Sequence, residues 1–228
     1  MLELRTYLLF RMVIQIMNSV THCVGVLLSI LGGHLLSLEV RNTSLTHRMS
    51  CAVYTGSLLS LYMSSTLFHS FFAMVNTRHV FRVMDKCAIY ILIAGSYTPF
   101  MQILLSDQPI YSFGLLGFIW TCCLLGMTVE ALYPSWKHKT MFSLSMYLGM
   151  GWSCVVCLPE MMSRVNDQCV YLILLGGIAY TSGVPFFVRN NNLDHAIWHL
   201  FVMSGSILHW VAVYFYVAST PLHELIKD

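Results

Sequence analysis

Apolar runs of near-membrane length follow one another along the chain, separated by short polar or charged breaks. A helix that crosses a bilayer needs about 20 predominantly apolar residues, and in lipid each such segment must satisfy its own backbone hydrogen bonds. The pattern predicts seven spans, running from about Val13 to Leu38, Met49 to Met74, Met84 to Leu105, Ile110 to Leu132, Thr140 to Leu158, Gln168 to Phe187 and His195 to Val217. No internal repeat or low-complexity linker interrupts them, so residues 1–228 read as one membrane domain. The expected fold is an all-α integral membrane protein, a seven-transmembrane helix bundle.

Composition narrows the class. Lys plus Arg number 12 and Asp plus Glu 10, charged residues make up 10% of the chain, and the mean hydropathy is +0.69. A soluble domain carries about 25% charged residues, so this chain has too little charge to cover a globule in water. A formal charge of +2 and the lack of long basic runs exclude a nucleic-acid binder. They also argue against an enzyme dedicated to strongly acidic substrates. The eight Cys fall mostly inside apolar stretches and form no paired CxxC motifs, so most read as small apolar fillers. A Cys157–Cys169 bridge stays open as an alternative should both face an oxidising compartment. Arg11 interrupts the first apolar run and no small-residue cleavage site follows, so the first span is expected to act as its own insertion signal.

Positive charge then sets the expected orientation, because cytoplasmic flanks accumulate Lys and Arg. With the N-terminus inside, the inner face holds Arg5, Arg11, Arg78, Arg82, Lys86, Lys137, Lys139 and Arg189, against Arg41, Arg48, Arg164 and Lys227 outside. The expectation is a cytoplasmic N-terminus and an extracytoplasmic C-terminus, in the plasma membrane or an endomembrane such as the Golgi or ER. The sequon at Asn42 falls in the first loop, on the outside, where glycosylation would be allowed.

Ionisable residues within spans cost up to about 3 kcal/mol at a helix centre on insertion scales, so the survivors are informative. Ser65 and His69 lie four residues apart near the end of the second span, Asp85 opens the third, and His195 and His199 form an i, i+4 pair opening the seventh. The topology puts all of them on the cytoplasmic side. Three imidazoles, His69, His195 and His199, match the ligand shell of a catalytic zinc with an open fourth position. Asp85 would hold or deprotonate a water there, and Ser65 would donate to a developing oxyanion. A chance HxxxH pair, or histidines capping an interfacial helix end, is the bland alternative. His209 lies ten residues beyond His199, about 15 Å along a helix, and reads as a core histidine bonded to a neighbouring helix. His22 reads first as an interhelical hydrogen bond and second as a supporting residue beside the metal. Glu130 is expected to snorkel to the interface, and Gly95 with Pro99 to kink the third helix.

The segments NSVTHCVG, SSTLFH, MDKCAIYILIAGSYTPF and HAIWHLFVMSGSILH, in this order and spacing, resemble the motifs of the progestin and adipoQ receptor family. The likeness is to its hemolysin III-like branch, which includes the monocyte-to-macrophage differentiation proteins, and it covers nearly the whole chain. The resemblance implies a seven-helix bundle with its N-terminus in the cytoplasm and a zinc near the inner leaflet. The implied ligands are His69, His195 and His199, with Ser65 and Asp85 beside a metal-bound water. Two departures stand out: the stretch VIQIM before the first motif carries Gln15 where hemolysin III-like sequences usually carry acidic residues, and the long N-terminal extension of adiponectin receptors is absent. Three functions follow as expectations. The first is a zinc-dependent intramembrane hydrolase of a lipid amide such as ceramide. The second is a receptor or signalling scaffold with a structural zinc and an unknown protein partner, and the third a pore of the hemolysin type. The pore fits least, because the outer halves of the spans hold hardly any ionisable residues to line it.

Overall fold

The structure, a computed structural model, describes residues 2–189 and 191–219; Lys227, counted above among the outer charges, lies outside them. Eight α-helices account for most of the described residues: α1 (Leu2–Glu39), α2 (Leu45–Ser70), α3 (Val75–Pro99), α4 (Leu116–Leu132), α5 (Lys139–Trp152), α6 (Leu158–Arg164), α7 (Asp167–Arg189) and α8 (Asn192–Val213). Six helical stretches among the described residues are long and apolar enough to cross a membrane by length and composition. α2 is not one of them, because it carries buried Ser50, Ser57, Ser64, Ser65, His47 and His69. The chain is an integral multi-pass membrane protein.

Several boundaries differ from the expected spans, each for a local reason. α1 starts at Leu2 and runs for 38 residues, about 57 Å at 1.5 Å per residue. Arg11 interrupts the apolar run without breaking the helix, since Arg is a good helix former. α3 begins at Val75, so Asp85 sits about three turns inside it rather than at its opening. The fifth expected span is split: α5 passes through a 3-10 turn over Ser153–Cys157 into the short α6. Directly after Pro99 the third helix continues as a π-turn, Phe100–Leu104, where proline has removed a backbone donor.

In the bundle α1 packs along both α2 and α8, while α3, the most enclosed of the candidate spans, packs on α2, and α7 packs on α8. Along α1 the buried positions are Ile14, Asn18, His22, Gly25, Ser29, Gly32 and Leu36, a stripe at helical spacing that Val40 continues just past the helix end. Much of its opposite surface is apolar and exposed, with Val20, Leu27 and Leu31 as examples, as suits lipid contact. Close approach replaces hydrophobic drive where lipid is the solvent. A Cβ on Gly95 of α3 would collide with Ser57 of α2, and one on Gly176 of α7 would collide with the His209 ring of α8.

Several polar side chains inside the bundle are held in pairs. His209 Nε2 donates to the Ile173 carbonyl at 3.0 Å, the interhelical bond expected of it. Glu130 does not snorkel. Its side chain is fully enclosed, paired with Lys139 at 3.0 Å and accepting from Ser143 Oγ at 2.6 Å. Lys139 and Ser143 lie one turn apart on α5, so the neighbouring helix supplies both partners and removes the need to reach water. Cys157 and Cys169 are both free thiols, and Cys157 donates to the Cys154 carbonyl. At one end of the bundle Arg164 closes on Asp107 through two bonds, 2.6 and 3.0 Å, and also reaches Glu160. Hydrogen bonding to Arg164 holds the Asp107 carboxyl below the usual carboxylate range. A lowered carboxyl pKa adds stability above the unfolded-state value and loses it as pH falls. Because the Asp107 side chain is 54% exposed, solvent screening leaves this contribution small.

The α7–α8 contact gives a direct test of the packing. Gly176→Ala should destabilise the folded protein by about 1–3 kcal/mol, the usual cost of overpacking. Gly149→Ala, where a Cβ meets nothing within 4 Å, should be neutral or slightly stabilising. Thermal unfolding in detergent, read by size-exclusion recovery, measures both; equal midpoints would refute the close approach.

Candidate metal centre

α1 carries Arg11, Gln15, Asn18 and His22 at i, i+4, i+7 and i+11, so these polar residues share one face of the helix. That face looks into a cavity of about 740 Å³, which is also lined by Ser65 and His69 of α2, Asp85 of α3, and His195 and His199 of α8. The volume falls within the roughly 300–1,000 Å³ typical of small-molecule sites. Deeper in, the lining turns apolar and aromatic, with Leu92, Ile93, Trp152 and Val202, and it ends near His209. The cavity is therefore elongated along the bundle.

Three of the expected ligands converge. One ligand atom from each of His69, His195 and His199 lies within 4.8 Å of the others. His69 Nε2 and His195 Nε2 are 3.1 Å apart, close to the about 3.3 Å separation that tetrahedral geometry requires of two nitrogens each 2.0–2.1 Å from zinc. His69 and His199 are 3% and 1% exposed. The i, i+4 spacing on α8 puts its two rings on one face, where they meet edge-on with centroids 4.6 Å apart.

The hydrogen bonds around the triad prepare it for a cation. His69 Nδ1 donates to Gln15 Oε1 at 2.7 Å, which leaves its Nε2 lone pair turned toward His195. Thr21 Oγ1 donates its only proton to the Asn18 carbonyl at 2.9 Å, so toward His199 Nδ1, 3.1 Å away, it can only accept. His199 thus holds its proton on Nδ1, and its Nε2 carries the free lone pair. Both tautomers are the ones a metal requires, each set by the bond made at the other ring nitrogen. The donor set therefore fits a divalent transition metal such as zinc.

Asp85 and Ser65 line the same cavity, and the Ser65 hydroxyl faces the Asp85 carboxyl. Asp85 is not within the group of converging ligand atoms, so it stands beside the triad rather than completing it. His22 departs from expectation: it makes no interhelical hydrogen bond, since neither ring nitrogen has a partner among the described residues. Its ring instead stacks on His199 at a centroid distance of 3.6 Å and meets Tyr62 edge-on. Asn18 Oδ1 is likewise buried without a partner. Sequence reading does not assign Gln15 and Thr21 as contacts of the triad. The signal for Gln15 is its register with Asn18 and His22, and that for Thr21, one residue off that face, is its place in the NSVTHCVG segment.

Comparison with known proteins gives the family. A family profile described as Haemolysin-III related matches residues 10–210, which takes in every residue of the triad. The chain is 34% identical over 209 residues to the Hemolysin-3 homolog of Bacillus subtilis, covering 91% of this chain and 96% of that protein. It is 35% identical over 208 residues to Hemolysin-3 of Bacillus cereus, covering 90% and 93%. To the human Monocyte to macrophage differentiation factor it is 30% identical over 210 residues, covering 90% and 84%. With most of its length matched by the profile and by these relatives, the chain belongs to the haemolysin-III related family of multi-pass membrane proteins.

Proposed function

We propose that the protein is a zinc-dependent intramembrane hydrolase of lipid amides, ceramide-like in substrate class. The single observation that carries this is the convergence of three imidazoles, with bare nitrogens of His69 and His199 turned inward, in a cavity that also has an apolar lining. A zinc held by His69, His195 and His199 would supply Lewis acidity at the amide carbonyl and bring the pKa of a water toward about 7. Asp85 takes the proton of the attacking water on its carboxylate and returns it to the leaving amine nitrogen. Ser65 donates a hydrogen bond to the oxygen on which negative charge develops. Gln15 and Thr21 hold the rings of His69 and His199 in their ligating tautomers. Asn18 and His22 offer unpartnered polar atoms to the substrate's headgroup, and the acyl chain lies along Leu92, Ile93 and Val202.

The same triad supports a second reading, a receptor or scaffold in which the metal is structural. α2 and α8 each pack along α1, so a metal shared by His69 and the α8 pair would tie the two outer helices across it. The two readings separate on Asp85. Purified protein should release fatty acid from a panel of lipid amides, and Asp85→Asn should lower that rate by about 100-fold or more, the usual contribution of a general base, with its metal retained. Gln15→Ala should weaken zinc binding by about 10–100-fold. Equal rates for wild type and Asp85→Asn would remove the hydrolase reading and leave the structural one.

The orientation belongs to the same proposal: seven spans in a single domain, N-terminus in the cytoplasm, C-terminus outside. It rests on the excess of Lys and Arg at the end of the bundle that holds the triad. An epitope inserted at Lys137, exposed in the loop between α4 and α5, should bind antibody only after cells are permeabilised. Binding on intact cells would reverse the assignment.

A further inference from the structure

The cavity that holds the triad opens among cations. Arg11 of α1 and Arg78, Arg82 and Lys86 of α3 line it, and Asp85 is the one carboxylate among its described lining residues. Lys86 is the sequence neighbour of Asp85, and beside it stand three guanidinium groups. Arg78 feels the charges of both Arg82 and Arg11, so the three are clustered rather than spread along the rim. None of them forms an ion pair among the described residues, whereas Lys139, Arg164 and Arg189 each have a carboxylate. Arg78 Nε is, in addition, buried with no hydrogen-bond partner.

Orientation signals alone do not require this. Arg5 and Lys137 serve the cytoplasmic bias equally well while standing exposed, away from the cavity. Drawing three like charges to one mouth costs Coulomb energy, and a buried N–H without an acceptor carries an uncompensated desolvation cost. Both costs are offset by an anion. Guanidinium groups bind phosphate and carboxylate oxygens through paired hydrogen bonds, and beyond the histidines the same cavity has an apolar lining. A ligand with anionic oxygens at one end and an acyl chain at the other matches both parts of the surface. The low overall charge argued against acidic ligands; the fold concentrates the few cations available.

We propose that Arg11, Arg78 and Arg82 form an anion-binding collar that takes the phosphate or carboxylate headgroup of a membrane lipid, whose chain enters the histidine cavity. The collar acts whether or not the triad holds a metal or turns over. The test is lipid binding to the purified full chain in neutral detergent, read by native mass spectrometry with phosphatidic acid against phosphatidylcholine of the same chains. Wild type should retain phosphatidic acid preferentially, and Arg78→Gln with Arg82→Gln should lose about tenfold or more of that preference, the scale of lost charge-assisted bonds. Arg5→Gln with Lys137→Gln, which removes the same charge elsewhere, should keep it. Asp85→Asn should also keep it, which separates this site from hydrolysis. Absence of a preference in wild type, or equal loss in the two double variants, would overturn the collar. Displacement of the lipid by inorganic phosphate would reassign it to a soluble anion and overturn the lipid assignment.

Discussion

A polar side chain inside a helical bundle surrounded by lipid must find its partner within the protein, and this constraint organises the whole molecule. It accounts for α1, whose lipid-facing surface is apolar while its inward face carries Asn18, His22 and Ser29. It accounts for Glu130, fully enclosed yet matched by Lys139 and Ser143. It also explains why α2, less apolar than the other long helices, is at home in the bundle: its serines and histidines face inward, against α1 and α3. His22, Asn18 and Arg78 hold unpartnered atoms on the walls of one cavity, whereas Tyr54, Tyr90 and Trp210 hold theirs elsewhere in the bundle. Internal satisfaction is thus incomplete in several places, and the cavity is one of them.

The triad shows how the constraint becomes chemistry. Three imidazoles drawn together without a cation would compete for protons. Gln15 and Thr21 resolve this for His69 and His199 by accepting the Nδ1 protons and leaving bare nitrogens inside. A neutral amide in place of a carboxylate still fixes the tautomer but adds no negative charge, so at Gln15 this chain orients its ligand without raising the ligand's basicity as a carboxylate would. His22 stacked on His199 restricts the ring further.

Much of this was legible in the chain itself. The period of apolar runs indicated a multi-helix membrane protein, and the HxxxH pair, His69, Asp85 and Ser65 could be gathered to one end by topology alone. What remained hidden was hidden for physical reasons. Gln15 stands out only as a departure and Thr21 only as part of a motif, and as uncharged residues inside a long apolar run neither reveals which histidine it meets. Glu130 reads as interfacial until α5 is seen to place two partners one turn apart beside it. The length of α1, and the π and 3-10 turns after Pro99 and Trp152, depend on how helix ends meet their neighbours. Hydropathy carries no record of that.

Metal stoichiometry bears most directly on the central claim, that the three histidines form one cation site. Elemental analysis of the full chain, purified without added chelator, should find one zinc per chain in wild type and none in His69→Ala, with helicity preserved. One zinc retained in His69→Ala, or no metal in wild type even after reconstitution with zinc, would contradict it.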